Sequence, residues 1–104
     1  MRISVSSPGT HLDPDDIDRI ERDLEKIDRR LHEHNEVAAT VRVAEITGSR
    51  GWHVTLELDY GRNHLIAKAD NGDLGQAVRT AREEILRQIN DRSRRGHSWF
   101  AKRR

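Results

Sequence analysis

Cysteine is absent from the 104 residues, which rules out a disulfide framework and is compatible with the cytosol. No run approaches the roughly eighteen consecutive apolar residues of a membrane span. The opening MRISVSSPGT also lacks the apolar stretch of a secretory signal. The expectation is a soluble, cytoplasmic protein with no membrane partner. Hydrophobic residues are scarce, 34% against 36% charged, so the core must be thin. A two-layer fold suits those proportions better than a sheet covered on both faces. An excess of one charge sign is also missing. Lysine plus arginine number 19 and aspartate plus glutamate 18, for a net charge of +1. There is no general attraction to polyanions, and any nucleic-acid surface must be a local patch. A chain of this length is one domain, able to bury about two-thirds of its unfolded surface.

Catalytic constellations are lacking as well. No Gly-rich phosphate loop follows a strand, and no paired carboxylates sit in an apolar setting. The six histidines do not form a metal set. His32 and His34 stand two apart at a helix end and point to different sides. His53 and His64 belong to adjoining strands whose turn pairs His64 near Asp59, away from His53. No metal, cofactor, small-molecule substrate or enzymatic activity is implied.

What the chain does contain is periodicity. From Trp52 to Tyr60, residues Trp52, Val54, Leu56, Leu58 and Tyr60 face one way, and His53, Thr55, Glu57 and Asp59 the other. Such alternation marks a strand with one buried and one wet face. Arg2 to Ser6 reads as a short first strand with Ile3 and Val5 inward. Asp13-Pro14-Asp15-Asp16 starts a helix: Asp13 caps it, Pro14 suits its first position, and the acids favour its positive end. Ile17, Ile20, Leu24, Ile27 and Leu31 form its apolar stripe, with an end expected near His34-Asn35. Val37 to Thr47 is a second strand with Ala39, Val41 and Val43 on one face. Ile46 breaks the parity, which implies a bulge or strand end near Ala44-Glu45. Gly48-Ser49-Arg50-Gly51 connects tightly into the alternating strand. Gly61-Arg62-Asn63 turns a hairpin into a fourth strand with Leu65, Ala67 and Ala69 inward. Asp73 with Gln76 gives a capping-box pattern for a helix striped by Leu74, Ala77, Val78, Ala81, Ile85 and Ile89. Gly96 is placed to stop it.

The resulting order is β-α-β-β-β-α. Helices with one apolar stripe and strands with one apolar face have a single solution: an α+β two-layer fold, both helices on one face of a four-stranded sheet, the other face wet. That wet face carries Arg42, His53, Thr55, Glu57, Asp59, Lys68 and Asp70, with Ile66 an apolar intruder. The domain is expected to span residues 1–96, with 97–104 a basic, flexible tail.

The charges on the helices are ordered. Arg19, Arg22, Lys26 and Arg29 follow the stepping of the apolar stripe two residues on, so they lie roughly 200° from it, facing solvent. Asp18, Glu21, Glu25 and Asp28 form an acidic ridge between the two. One reading is a solvated helix laced by i,i+4 pairs such as Asp18–Arg22 and Glu25–Arg29; the other is a ridge that meets phosphates. On the second helix Arg79 and Arg82 occupy adjacent turns, and Arg87, Arg92, Arg94 and Arg95 load the last ones. Cations at a carboxyl end complement the helix dipole, but that effect fades within a turn and does not account for Arg79 or Arg82. With the terminal Lys-Arg-Arg, this end is basic enough for phosphate contacts. Trp99 and Phe100 suit base stacking, folding back on the sheet, or packing against another molecule.

The element order, the strand Leu65-x-Ala67-x-Ala69, the turn into Asp73-Leu74-x-x-Ala77-Val78, the later Ile85-x-Arg87-Gln88-Ile89 and the first-helix Leu24-Glu25-Lys26-Ile27 resemble the ribosome hibernation-promoting factor and ribosome-associated inhibitor family, in its short form. The resemblance runs from about Ile3 to Arg95. It implies a stress-associated protein in the small ribosomal subunit, occupying the messenger and transfer RNA channel and held on ribosomal RNA by basic residues of both helices. Lys26, Arg29 and Arg87 stand where that family carries basic contacts. Three positions depart from its pattern: Glu84 and Asp91 replace residues that are usually basic, and Gly75 replaces an aromatic one.

The resemblance and the charge pattern together give a candidate RNA-binding set of Arg22, Lys26, Arg29, Arg79, Arg82, Arg87, Arg94 and Arg95, with the small ribosomal subunit and its rRNA as partner. The alternative is a paralogue that has lost RNA binding and acts as a protein-interaction or homodimerisation module through Trp99 and Phe100. A double-stranded RNA module shares the architecture, but usually opens its last helix with lysines, whereas this one opens Asp-Leu-Gly-Gln.

Overall fold

The computed structural model describes residues 1–48 and 50–102, the side chains of 94–102 excepted. Its elements run β1 (Arg2–Ser6), α1 (Pro14–Arg30), β2 (Val37–Glu45), β3 (Trp52–Tyr60), β4 (Asn63–Asn71) and α2 (Leu74–Lys102). This is the expected β-α-β-β-β-α order. The strands form one sheet in the order β1-β2-β3-β4. β1 pairs parallel to β2, the two joined by α1 as a crossover, while β2–β3 and β3–β4 are antiparallel hairpins.

Register follows from the alternation. Ala39, Leu58 and Leu65 stand in one row across the sheet, Val41, Leu56 and Ala67 in the next, and Val43, Val54 and Ala69 in the third. All nine are buried. A slip of one residue would turn each of them to water, so the apolar pattern specifies the pairing. Ile20, Leu24, Ile27 and Leu31 from α1 and Ala77, Val78, Ala81, Ile85 and Ile89 from α2 close the same core. Both helices therefore lie on one face. Ile66, on the other face, is 43% exposed, the one large hydrophobic residue so exposed among the described residues.

The structure corrects two helix ends and decides between the two readings at Ala44-Glu45 in favour of a strand end. α1 ends at Arg30, with Leu31 as its C-cap, short of His34-Asn35; Leu31 is buried, so the chain turns once that apolar residue is seated. No bulge forms near Ala44-Glu45, because Glu45 pairs directly with Trp52 and the Ile46 amide donates to the Gly51 carbonyl (3.0 Å) to close the hairpin. The parity break at Ile46 marks the strand end. Nor does Gly96 stop α2, which continues to Lys102. A mid-helix glycine costs only about 1 kcal/mol relative to alanine, too little to end a helix unless a left-handed cap is also formed. The side chains of Trp99 and Phe100, on which the stacking and dimerisation expectations fall, lie outside the described residues, as do Arg103 and Arg104.

Leu56 at the sheet centre is 1% exposed. Leu56→Ala is expected to lower unfolding free energy by about 2–5 kcal/mol, whereas Ile66→Thr on the open face should stay within about 0.5 kcal/mol. Urea denaturation with a common m-value checks both.

Candidate nucleic-acid interface

The helices run parallel, because successive residues of α1 meet successively later residues of α2. Asp23 meets Arg79 and Arg82, Lys26 meets Glu83, and Arg30 meets Asn90. At the first crossing the Asp23 carboxylate lies between two guanidinium groups, 3.7 Å from Arg79 Nη1 and 4.0 Å from Arg82 Nη1. Arg82 Nη1 also donates to the Asp23 backbone carbonyl (3.3 Å), and its Nε donates to Glu83 (2.9 Å). The Arg82 side chain is only 16% exposed. This is an interhelical clamp, and it takes up the two α2 arginines that the helix dipole did not explain. Asp23 Oδ2 is buried without a hydrogen-bond donor, so its charge is balanced by Arg79 across 3.7 Å.

The other candidates divide by what they touch. Lys26 Nζ lies 3.5 Å from Glu83 Oε2, both side chains about half exposed. Arg87 is wedged between Glu84 and Asp91, donating to Asp91 Oδ2 at 2.8 Å and to Glu84 through Nε at 2.8 Å and through Nη2. Glu84 and Asp91 thus hold the Arg87 guanidinium from both sides. The hydrogen bond from Arg82 holds the Glu83 carboxyl below the usual carboxylate range, and that from Arg87 does the same for Glu84. The Glu84 carboxylate in turn raises the pKa of Arg87. Both carboxylates therefore stay ionised at neutral pH and offset the arginines of the helix layer.

Arg22 and Arg29 are exposed, and no carboxylate lies within salt-bridge distance of either among the described residues. The expected i,i+4 pairs Asp18–Arg22 and Glu25–Arg29 do not form. These two arginines, two turns apart on the side of α1 turned away from its stripe, are accessible cations, as is Arg19 among the described residues. Arg94 and Arg95 have side chains outside the described residues. Sequence reasoning missed Asp23 and Arg30. Their positions flanking the α1 stripe are readable, but nothing local identifies which flank meets the second helix.

The open sheet face is mixed in sign. Arg42 and Lys68 flank Thr55 in one row. His53 contacts Asp70, and His64 Nδ1 lies 2.5 Å from Asp59 Oδ1. The hydrogen bond to Asp59 raises the His64 pKa above its ordinary value near 6.5. Among the described residues no three histidine, aspartate or glutamate side chains converge as metal ligands, and no helix is long and apolar enough to cross a membrane.

These features define a two-layer α+β domain with a parallel helix pair on one face of a four-stranded mixed sheet. The same fold is found in the Protein Y N-terminal domain of Thermus thermophilus, with a TM-score of 0.76 and 18% identity over 86% of this chain and 96% of that one. A ribosomal subunit interface protein from Coxiella burnetii superposes with a TM-score of 0.72 and 16% identity, covering 89% of this chain and 98% of that one. No family model and no curated protein matches the sequence. At such identities the likeness establishes the fold.

Two outcomes follow from the clamp and the open face. Asp23→Ala strands a mostly buried guanidinium and should cost roughly 1–3 kcal/mol; Lys26→Ala, which breaks an exposed pair, should cost under about 1 kcal/mol, both read by urea denaturation. For His64, a raised folded-state pKa means that its stabilising contribution is complete below the unfolded value and fades as pH rises through the folded one. Proton NMR should give a midpoint above 6.5 that falls back in Asp59→Asn.

Proposed function

We propose that this protein is a non-enzymatic, ribosome-associated factor of the hibernation-promoting family, which inhibits translation by occupying the messenger and transfer RNA channel of the small subunit. The observation that carries the proposal is the end-to-end correspondence of the fold with a ribosomal subunit interface protein, 98% of which is covered. The outer surface of the helix layer supports it. Arg22 and Arg29 stand exposed and free of carboxylates among the described residues, a geometry suited to phosphate contacts.

Lys26 and Arg87 join them by exchange of partners. Exposed ion pairs contribute about 0–1 kcal/mol, so a phosphate can displace Glu83 from Lys26 at little cost. Arg87 must leave two acids rather than one, which places it lower in the order of contributions. Arg94 and Arg95 belong to the proposed set on sequence alone. Arg79 and Arg82 act as positioning residues: they fix the helix pair whose outer surface meets RNA. With a net charge of only +1, such binding depends on this local surface and is strongly salt-dependent.

Co-sedimentation with purified small subunits over a salt series tests the proposal. The double variant Arg22→Glu/Arg29→Glu should weaken association, and each phosphate contact removed should flatten the log–log salt slope by roughly 0.7–0.9. The sheet-face variant Arg42→Glu/Lys68→Glu should behave as wild type. No association at low salt, or equal loss in both variants, would refute the proposal.

A further inference from the structure

The two edges of the sheet are treated differently. On β4, the Gln88 side chain of α2 reaches over and donates to the Ile66 carbonyl at 3.0 Å, while Arg92 donates to Asn63 at 3.1 Å. That edge is guarded by the helix that follows it. β1 is the opposite edge, and among the described residues no backbone or side-chain hydrogen bond reaches its outer side. In a parallel ladder alternate residues direct both N–H and C=O outward, so β1 presents a row of unmet donors and acceptors. The apolar layer also runs out to this edge incompletely covered. Ile3 and Val5 are half-buried, whereas their β2 partners Ala39 and Val41 are buried.

The flank of α1 above this edge is acidic. Asp28 Oδ1 lies 3.4 Å from the Met1 nitrogen at the start of β1, which orients that side of the helix. Asp18, Glu21 and Glu25 continue the ridge upward, all three exposed and none with a cation within 4.0 Å among the described residues. From Asp18 to Asp28 the ridge rises about 15 Å, close to the length of about 17 Å for five strand residues.

We infer that the β1 edge receives an extended basic polypeptide segment as a fifth strand, with lysine or arginine at alternate positions meeting the acidic ridge of α1. Main-chain hydrogen bonds supply affinity and the alternating side chains supply selectivity, as in other strand additions. The positions on the helix side of the added strand lie beside Ile3 and Val5 and beneath the ridge. Lysine and arginine suit them, because their methylene stems cover apolar surface while the charged heads reach upward. A second copy of this chain is a poor occupant. Pairing β1 with β1 would bring two acidic ridges to the same seam, where like charges repel. RNA is repelled by the same ridge. The partner is a protein with a basic, extended segment, bound independently of any RNA contact made by Arg22 and Arg29.

The test titrates the full-length, nitrogen-15-labelled protein at low salt with an acetylated, amidated heptapeptide of alternating lysine and valine. Two further peptides are N-methylated at alternate amides, one of each parity. Expected are amide shifts concentrated at residues 2–6 and 18–28, binding abolished by one methylation parity and kept by the other, and affinity at least tenfold weaker in Glu21→Lys/Glu25→Lys. Those two residues are exposed, so the spectrum of the unbound variant serves as the fold control. The inference is overturned by absence of binding, by indifference to both methylation parities, by shifts centred elsewhere, or by a peptide-independent dimer through β1.

Discussion

Every feature of this domain depends on covering one apolar sheet face with two helices. The rows Ala39–Leu58–Leu65, Val41–Leu56–Ala67 and Val43–Val54–Ala69 must leave water, and each large side chain among them contributes about 1.5–3 kcal/mol when fully buried. A chain with 34% hydrophobic residues can cover that face once and no more. The second face therefore stays in water, tolerating Lys68, Glu57 and a half-exposed Ile66. The parallel crossover through α1 leaves β1 at an edge, and α2, arriving last, lies over β4 and guards the other.

Electrostatics is arranged around that packing. Asp23 between Arg79 and Arg82 joins the helices where solvent is partly excluded, with side chains 19% and, for Arg82, 16% exposed. Lys26–Glu83 and the Arg87 triad lie further out and are screened. The order of burial sorts the arginines by role more sharply than their spacing does. Those held in the seam orient the helices, those in exposed pairs can exchange partners, and Arg22 and Arg29 are free to meet an external anion. A near-neutral chain can in this way present a local cationic surface on α1 and, on the other flank of the same helix, a local anionic one.

Much of the fold was legible because the signals are local. Nine residues of strict alternation define β3, Asp13-Pro14 starts α1, and three-four stepping of isoleucine and leucine defines both helical stripes. The pairing of His64 with Asp59 was legible too, since a two-residue turn at Gly61-Arg62 sets the register. Helix ends were less so. Gly96 has the composition of a stop, yet a glycine ends a helix only if the following chain adopts the cap. His34-Asn35 was similarly outweighed by the burial of Leu31.

The sequence by itself determined the element order, the single apolar face and hence the two-layer architecture, because periodicity acts over neighbours a few residues apart. The tertiary structure decided which charges meet. Asp23 and Arg82 are 59 residues apart and Lys26 and Glu83 are 57 apart, and the same packing left Asp18, Glu21 and Glu25 facing an open strand edge. Such pairings depend on which flank of each helix the packing turns inward, and a side chain with a cation one helical turn away still follows the partner that burial brings closest.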